Sequence, residues 1–85
     1  MTEQQALQYT TPELRKHWEI HGYMPDAFDK YKAGQMVWWY GDVLLITKIE
    51  RDGRHTIVHY LSKGHEAWEY YSDFQQVAIP LFHEV

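Results

Sequence analysis

The segment 34–80 limits what this chain can fold into more than any other part of it. It is dense in aromatic and β-branched residues, and Gly and Asp interrupt it at short intervals. Runs of this length between turn residues are typical of short β-strands. The runs are Met36 to Tyr40, Val43 to Glu50, Arg54 to Leu61, Ala67 to Tyr71 and Val77 to Ile79. Five strands at roughly even spacing predict a mainly β protein folded as a small closed barrel.

The second of these strands is apolar on both faces where it begins. Strict alternation places Leu44 and Ile46 on one face, and Leu45 and Ile49 on the other. We expect one face to line the barrel and the other to need a cover. The Asp52-Gly53 pair that follows predicts a tight hairpin, because a type I′ turn needs positive φ at both central residues.

An N-terminal helix is predicted to supply that cover. Thr10 or Thr11 can cap a helix with Pro12 in its first turn, and Gly22 supplies the left-handed stop. Leu14 and Trp18 form a narrow apolar stripe on it, four residues apart. A helix this short is not stable alone, so it must pack on the barrel.

The consecutive Trp38 and Trp39 must point to opposite sides of their strand, so we expect the helix to cover the outward ring. The division predicted for the single domain is a flexible tail over 1–9, a helix and ordered linker over 10–33, and the barrel over 34–85. Tyr23, Phe28 and Tyr31 are the expected anchors of the linker, which includes a single turn after Pro25.

The charge and residue content of the chain exclude or disfavour several classes of function. The formal net charge of −4 disfavours a nucleic-acid partner, because Lys and Arg dominate binding to phosphates. The chain has no cysteine, which excludes disulfides and thiol nucleophiles. Its first residues lack the pattern of a signal peptide, and no apolar run approaches the ~20 residues of a membrane span. We therefore expect a cytoplasmic protein with no membrane partner.

Within the predicted strands, the order of residues resembles the Tudor and chromo-barrel group of Src-homology-3-like small barrels. The resemblance rests on the Gly34-Gln35 opening, the Val58-His59-Tyr60 strand and the Ser72-Asp73-Phe74 close, and it covers about half of the chain. It implies a binding module, often one that holds methylated Lys or Arg in an aromatic cage. The positions that match such a cage are Trp38 or Tyr40, Tyr60, and Trp68 or Tyr70.

The same rings suggest the function directly, because aromatic anchors dominate the energetics of protein interfaces. We predict non-enzymatic binding of a protein or peptide partner. The candidate binding residues are Trp38, Tyr40, Tyr60, Trp68 and Tyr70. Two alternatives stay open. One is base stacking on these rings by a nucleic acid, with phosphates held at the hairpin tips by Lys48, Arg51, Arg54 and Lys63. The other is closure of a homodimer.

Catalysis and metal binding have weaker support. Ser62 and Ser72 lie in predicted turns without a nucleophile motif, so no catalytic residue is assigned. Glu13, His17 and His21 lie at four-residue steps on one helix face, which can place two imidazoles on one zinc ion. A third ligand would have to come from another element, with His55, His59 and His65 as candidates, so packed histidines are the simpler interpretation, and no metal or cofactor is predicted. On the barrel, His55 and His59 share a face with Ile57, and Glu66 and Glu69 on the next strand predict cross-strand His–Glu pairs.

Overall fold

Short glycine-containing turns fold the middle of the chain into an antiparallel meander. The computed structural model describes residues 1–25, 31–75 and 78–83. The strands are β1 (Met36–Trp39), β2 (Asp42–Asp52), β3 (His55–Ser62), β4 (His65–Tyr70) and β5 (Ala78–Leu81). They form one sheet in the order β4-β3-β2-β1-β5, in which every neighbouring pair is antiparallel.

Each turn of the meander has two residues. Tyr40–Gly41 joins β1 to β2 and Lys63–Gly64 joins β3 to β4, with positive φ at both central positions as a type I′ turn requires. The hairpin predicted near Asp52 is confirmed, but Asp52 pairs with His55, so its turn residues are Gly53–Arg54.

One face of the sheet, the inner face, carries a core to which several strands contribute. Val37, Leu44, Ile46, Val58, Tyr60 and Ala78 are buried together there. The helix α3 (Tyr71–Gln75) lies between β4 and β5 in the chain, and its Phe74 inserts into this core. No ladder joins β4 to β5 among the described residues, so the sheet is open. The predicted mainly β class is confirmed, whereas the predicted closure into a barrel is not seen among these residues.

The opposite face, the outer face, is covered over β1 and β5 by helices. Helix α1 (Glu3–Leu7) and helix α2 (Pro12–His21) bring Ala6, Leu7, Leu14 and Trp18 against Ile79 and Leu81. Thr11 caps α2 through a hydrogen bond from Leu14 N, and Gly22 ends it at φ +77°. The predicted helix is therefore confirmed, with Leu14 and Trp18 as its buried stripe.

The first residues differ from the flexible tail predicted over 1–9. Thr2 and Gln5 form a capping box at the start of α1, and Ala6 and Leu7 are buried on the outer face. Trp18 Nε1 also donates a hydrogen bond to the Glu3 carboxylate, which ties α1 to α2. The prediction missed this helix because Ala6 and Leu7 alone give too little apolar periodicity over five residues to indicate a helix.

A β-bulge changes the faces of β2. Ile46 pairs with Tyr60 and Lys48 with His59, so one extra residue, Thr47, is inserted between these pairs. Ile49 therefore packs on the inner core, and Lys48 falls on the outer face. The strict alternation predicted from sequence, with Ile49 beside Leu45, is wrong for this reason.

The linker can be followed only in part. Tyr31 is a buried anchor, as predicted, whereas Tyr23 is exposed and contacts the rings of His17 and His21. Phe28 and the turn expected after Pro25 lie outside the described residues.

Among the helices described, none is long and apolar enough to cross a membrane.

Candidate functional site

The half of the outer face that the helices leave uncovered carries exposed aromatic rings. Opposite residues in the register share a face, and here Trp68 lies opposite His59, Tyr70 opposite Ile57 and Glu66 opposite Leu61. We call this surface the β3–β4 face; it consists of His55, Ile57, His59 and Leu61 from β3, and Glu66, Trp68 and Tyr70 from β4.

The rings of the β3–β4 face touch one another. Trp68 and Tyr70 meet edge to face with centroids 5.3 Å apart, and Tyr70 lies 4.8 Å from the imidazole of His55. Trp68 nevertheless keeps 52% of its surface exposed and Tyr70 keeps 39%. Ile57 and Leu61 are half-buried between them and β2. The result is a row of rings and aliphatic groups open to solvent, with its geometry fixed by the β3–β4 hairpin.

An ion-pair cluster on β2 and β3 borders this row. Lys48 Nζ lies 2.9 Å from Glu50 Oε2, and His59 Nε2 lies 3.3 Å from Glu50 Oε1. The hydrogen bonds from Lys48 and then from His59 lower the pKa of the Glu50 carboxyl from its ordinary value. The face is therefore flanked by a positive charge that is already paired.

The cross-strand pairs predicted between His55 or His59 and the glutamates of β4 are not the ones found. His59 pairs with Glu50 on its other side, and its neighbour on β4 is Trp68. Glu69 lies opposite Val58, whose side chain is in the inner core, so Glu69 belongs to the other face. The prediction that His55, His59 and Ile57 share one face is confirmed by the register.

The five predicted binding residues do not form one surface. Tyr60 is 5% exposed in the inner core, and its burial, with Glu69 nearby, raises the pKa of its phenol. Trp38 packs in the helix-covered cluster, where its Nε1 donates to Met1 O at 2.7 Å. The expected cover was the helix that carries Leu14 and Trp18, and both residues belong to this cluster, to which the Met1 hydrogen bond is an unpredicted addition.

Tyr40 occupies a third location, the turn between β1 and β2. It is 70% exposed and its ring lies 5.1 Å from that of Trp39. Of the five residues, the structure brings together only Trp68 and Tyr70. Tyr60 and Trp68 point to opposite faces of the sheet, so these residues do not assemble an aromatic cage.

Sequence reasoning did not join His55, Ile57 and Leu61 to the aromatic pair of β4. The signal that could have done so was Lys63-Gly64, because a two-residue turn fixes the register and sets Trp68 opposite His59. The inner position of Tyr60 had no such signal, since both faces of β3 are apolar.

The histidines of α2 form a ring cluster. His17 and His21 have centroids 4.5 Å apart, and His17 Nδ1 lies 2.8 Å from the carbonyl of Tyr23. Within residues 1–25, 31–75 and 78–83, no group of three or more His, Asp or Glu is placed to hold a metal ion.

A cleft of about 490 Å³ opens elsewhere, where the ends of β1 and β5 meet Lys32 and His83. None of the five predicted binding residues is among those that line it.

Comparison of the chain with protein-family models, with curated proteins and with solved structures gave no match. The β3–β4 face therefore has to be interpreted from its own geometry and chemistry.

Proposed function

We propose that this chain is a non-enzymatic module that binds a protein or peptide on its β3–β4 face. The observation that carries the proposal is the exposed Trp68–Tyr70 pair. Leaving a tryptophan in water is costly for a small domain, since each aromatic ring can remove roughly 150–250 Å² from solvent. The other three tryptophans are buried or half-buried in this structure.

The surroundings of the pair support the same function. Trp and Tyr are enriched among the residues that dominate binding energy, and such residues lie within apolar surroundings that exclude water. Ile57 and Leu61 supply such surroundings beside Trp68. For the scaffold we propose a Src-homology-3-like small barrel in which no ladder joins β4 to β5 within the part of the chain that the structure describes, and an inner core that draws on several strands and on α3 supports it.

Stacking of nucleic-acid bases has less support. Two of the cations expected to hold phosphates are already paired, Lys48 with Glu50 and Lys63 with Asp42 at 3.7 Å. Two glutamates accompany the rings on β4, and their charge opposes a phosphate backbone.

Selection from a random peptide display library tests the proposal without a known partner. We expect the wild-type chain to enrich a set of peptides, and Trp68→Ala to weaken their binding about tenfold or more in fluorescence anisotropy. Tyr40→Ala is the matched control, because Tyr40 is also an exposed aromatic but lies off the face. Circular dichroism checks that both variants fold.

Two results would contradict the proposal. One is failure to enrich any peptide, and the other is equal loss of binding in Trp68→Ala and Tyr40→Ala. Sedimentation at several concentrations, run alongside, shows whether the same face closes a homodimer instead.

A further inference from the structure

The strand that carries Trp68 and Tyr70 is also an edge of the sheet. In the order β4-β3-β2-β1-β5, β4 has a neighbour on one side only, and nothing in the described chain pairs with its other side. An unpaired edge presents N–H and C=O groups that can add another strand. The exposed rings and an unsatisfied backbone edge thus lie at the same place.

The β3–β4 hairpin sets which backbone groups of β4 point outward. Ser62 and His65 flank the Lys63–Gly64 turn, and residues that flank such a turn form a hydrogen-bonded pair. Hydrogen-bonded and non-hydrogen-bonded pairs alternate from there along an antiparallel ladder. The backbone groups of Glu66 and Trp68 therefore point away from β3, toward the free edge.

The charge of this edge selects its occupant. The β4 strand carries Glu66 on the outer face and Glu69 on the inner face, and it has no Lys or Arg. A second copy of the chain would bring two more glutamates and another net charge of −4 to the same ladder. A basic segment would instead place ammonium or guanidinium groups beside these carboxylates and beside the Trp68 ring.

We infer that β4 binds an extended, Lys- or Arg-rich peptide segment, which adds to the sheet as a sixth strand next to β4. The backbone of the segment pairs with Glu66 and Trp68. Basic side chains that point to the outer face contact Glu66 and the ring of Trp68, and those that point to the inner face contact Glu69. This inference rests on the proposed function and specifies its partner and its mode of binding. It corresponds to recognition by strand addition, in which the ladder gives affinity and the side chains give specificity.

The probes are two synthetic peptides of alternating sequence, one of Thr and Lys and one of Thr and Glu, titrated into the full chain and followed by NMR. We expect the Thr–Lys peptide to bind and to slow hydrogen exchange at the amides of Glu66 and Trp68. The Thr–Glu peptide should do neither. Raising the salt concentration should weaken the Thr–Lys complex severalfold.

A matched pair of substitutions separates charge from backbone pairing. Glu66→Gln removes only the carboxylate and should weaken binding a few-fold. Glu66→Pro also removes the outward N–H, a change that edge strands tolerate, and should abolish binding while the chain stays folded. The double substitution Glu66→Lys and Glu69→Lys should transfer the preference to the Thr–Glu peptide.

Each other outcome overturns the inference in a distinguishable way. If library-selected peptides bind but the Thr–Lys peptide does not, the basic preference is wrong and the proposed function stands. If the Thr–Lys peptide binds without protecting the β4 amides, or binds Glu66→Pro as well as Glu66→Gln, strand addition is wrong. If the β4 amides are already protected in a dimer, a second copy occupies the edge.

Discussion

Tyr40 is held in a backbone conformation that suits few residues. Its φ is +49°, in the first central position of the Tyr40–Gly41 turn, where Asn, Asp and Gly are preferred. A bulky residue in this left-handed region is strained, because its Cβ approaches the neighbouring carbonyl. The ring contact with Trp39, 5.1 Å between centroids, offsets part of that cost.

We predict that Tyr40→Asn raises the free energy of unfolding by about 0.5–1 kcal/mol, because Asn tolerates positive φ. Urea denaturation measures the change. Lys63→Asn is the matched control, since Lys63 occupies the same turn position at φ +52° and its side chain pairs with the Asp42 carboxylate rather than packing on a ring. A gain in Lys63→Asn together with a loss in Tyr40→Asn would show that the Trp39 contact outweighs the backbone strain.

Helix α1 has only five residues, so its stability comes from what it covers. Leu7 is 3% exposed and packs in the cluster that also contains Trp18 and Ile79. Nearby, Arg15 Nε donates to Leu7 O, which adds a polar link between α1 and α2. The helix is thus part of the structure that keeps Trp38 half-buried.

We expect Leu7→Ala to cost about 2–4 kcal/mol of unfolding free energy, the range for a large-to-small change at a buried position. The tryptophan fluorescence emission should shift to longer wavelength as the Trp38 ring becomes more exposed to solvent. Gln4→Ala, on the exposed side of the same helix, should change stability by less than about 0.5 kcal/mol. Equal effects of the two substitutions would mean that α1 does not pack as described.

At the scale of elements, the parts with strong local signals could be predicted from sequence. Pro12 and Gly22 marked the limits of α2, and the alternation of Val58 and Tyr60 marked β3. The bulge at Thr47 could not be predicted, because no Gly or other local feature marks it and only packing decides which of Lys48 and Ile49 is buried.

Two short helices were missed for related reasons. Helix α1 has a usable signal in its capping box, Thr2 with Gln5, but little apolar periodicity. Helix α3 begins at Tyr71, where the sequence predicted the end of a strand and then a turn. In the β3–β4 face, it was predictable that Trp68 and Tyr70 share one side of their strand, because they are two residues apart. The burial of Tyr60 was not, because it depends on which face of the sheet Phe74 packs against.

Across the whole molecule, Tyr31 connects the segment before the sheet to its last strand. Its ring packs edge to face on Phe74 at 5.1 Å, and its hydroxyl donates to the Ala78 carbonyl at 2.9 Å. Burial, and then the neighbouring Tyr71, raises the pKa of this phenol well above its ordinary value of 10.0. The folded state therefore holds Tyr31 protonated where the unfolded chain would ionise.

The sign of the resulting pH dependence follows from linkage. Since the folded-state pKa is raised, the contribution of Tyr31 is fully present below about pH 10 and is lost as the pH rises above that value. We predict alkaline unfolding that is less steep with pH in Tyr31→Phe, which also loses about 1 kcal/mol at neutral pH with the hydrogen bond. Urea melts across the alkaline range measure both effects.

Tyr23→Phe serves as the control, because it removes the same hydroxyl from an exposed position outside the core. Tyr60 retains part of the slope in Tyr31→Phe, since burial raises the pKa of its phenol as well. An unchanged slope in Tyr31→Phe would contradict the assignment of Tyr31 as a group that ionises only on unfolding.

The carbonyl of Tyr9 accepts hydrogen bonds from the backbone N–H groups of Phe82 and His83, at 2.9 and 3.1 Å. Residues near the two limits of the sequence are thereby joined beside β5, which also pairs with β1. Helices α1 and α2 come first in the chain, whereas the surface on which they pack includes Ile79 and Leu81 of β5, the last of the described strands to be synthesised. Synthesis must therefore extend past Leu81 before α1 and α2 can pack on β5, and until then their apolar side chains are available to chaperones.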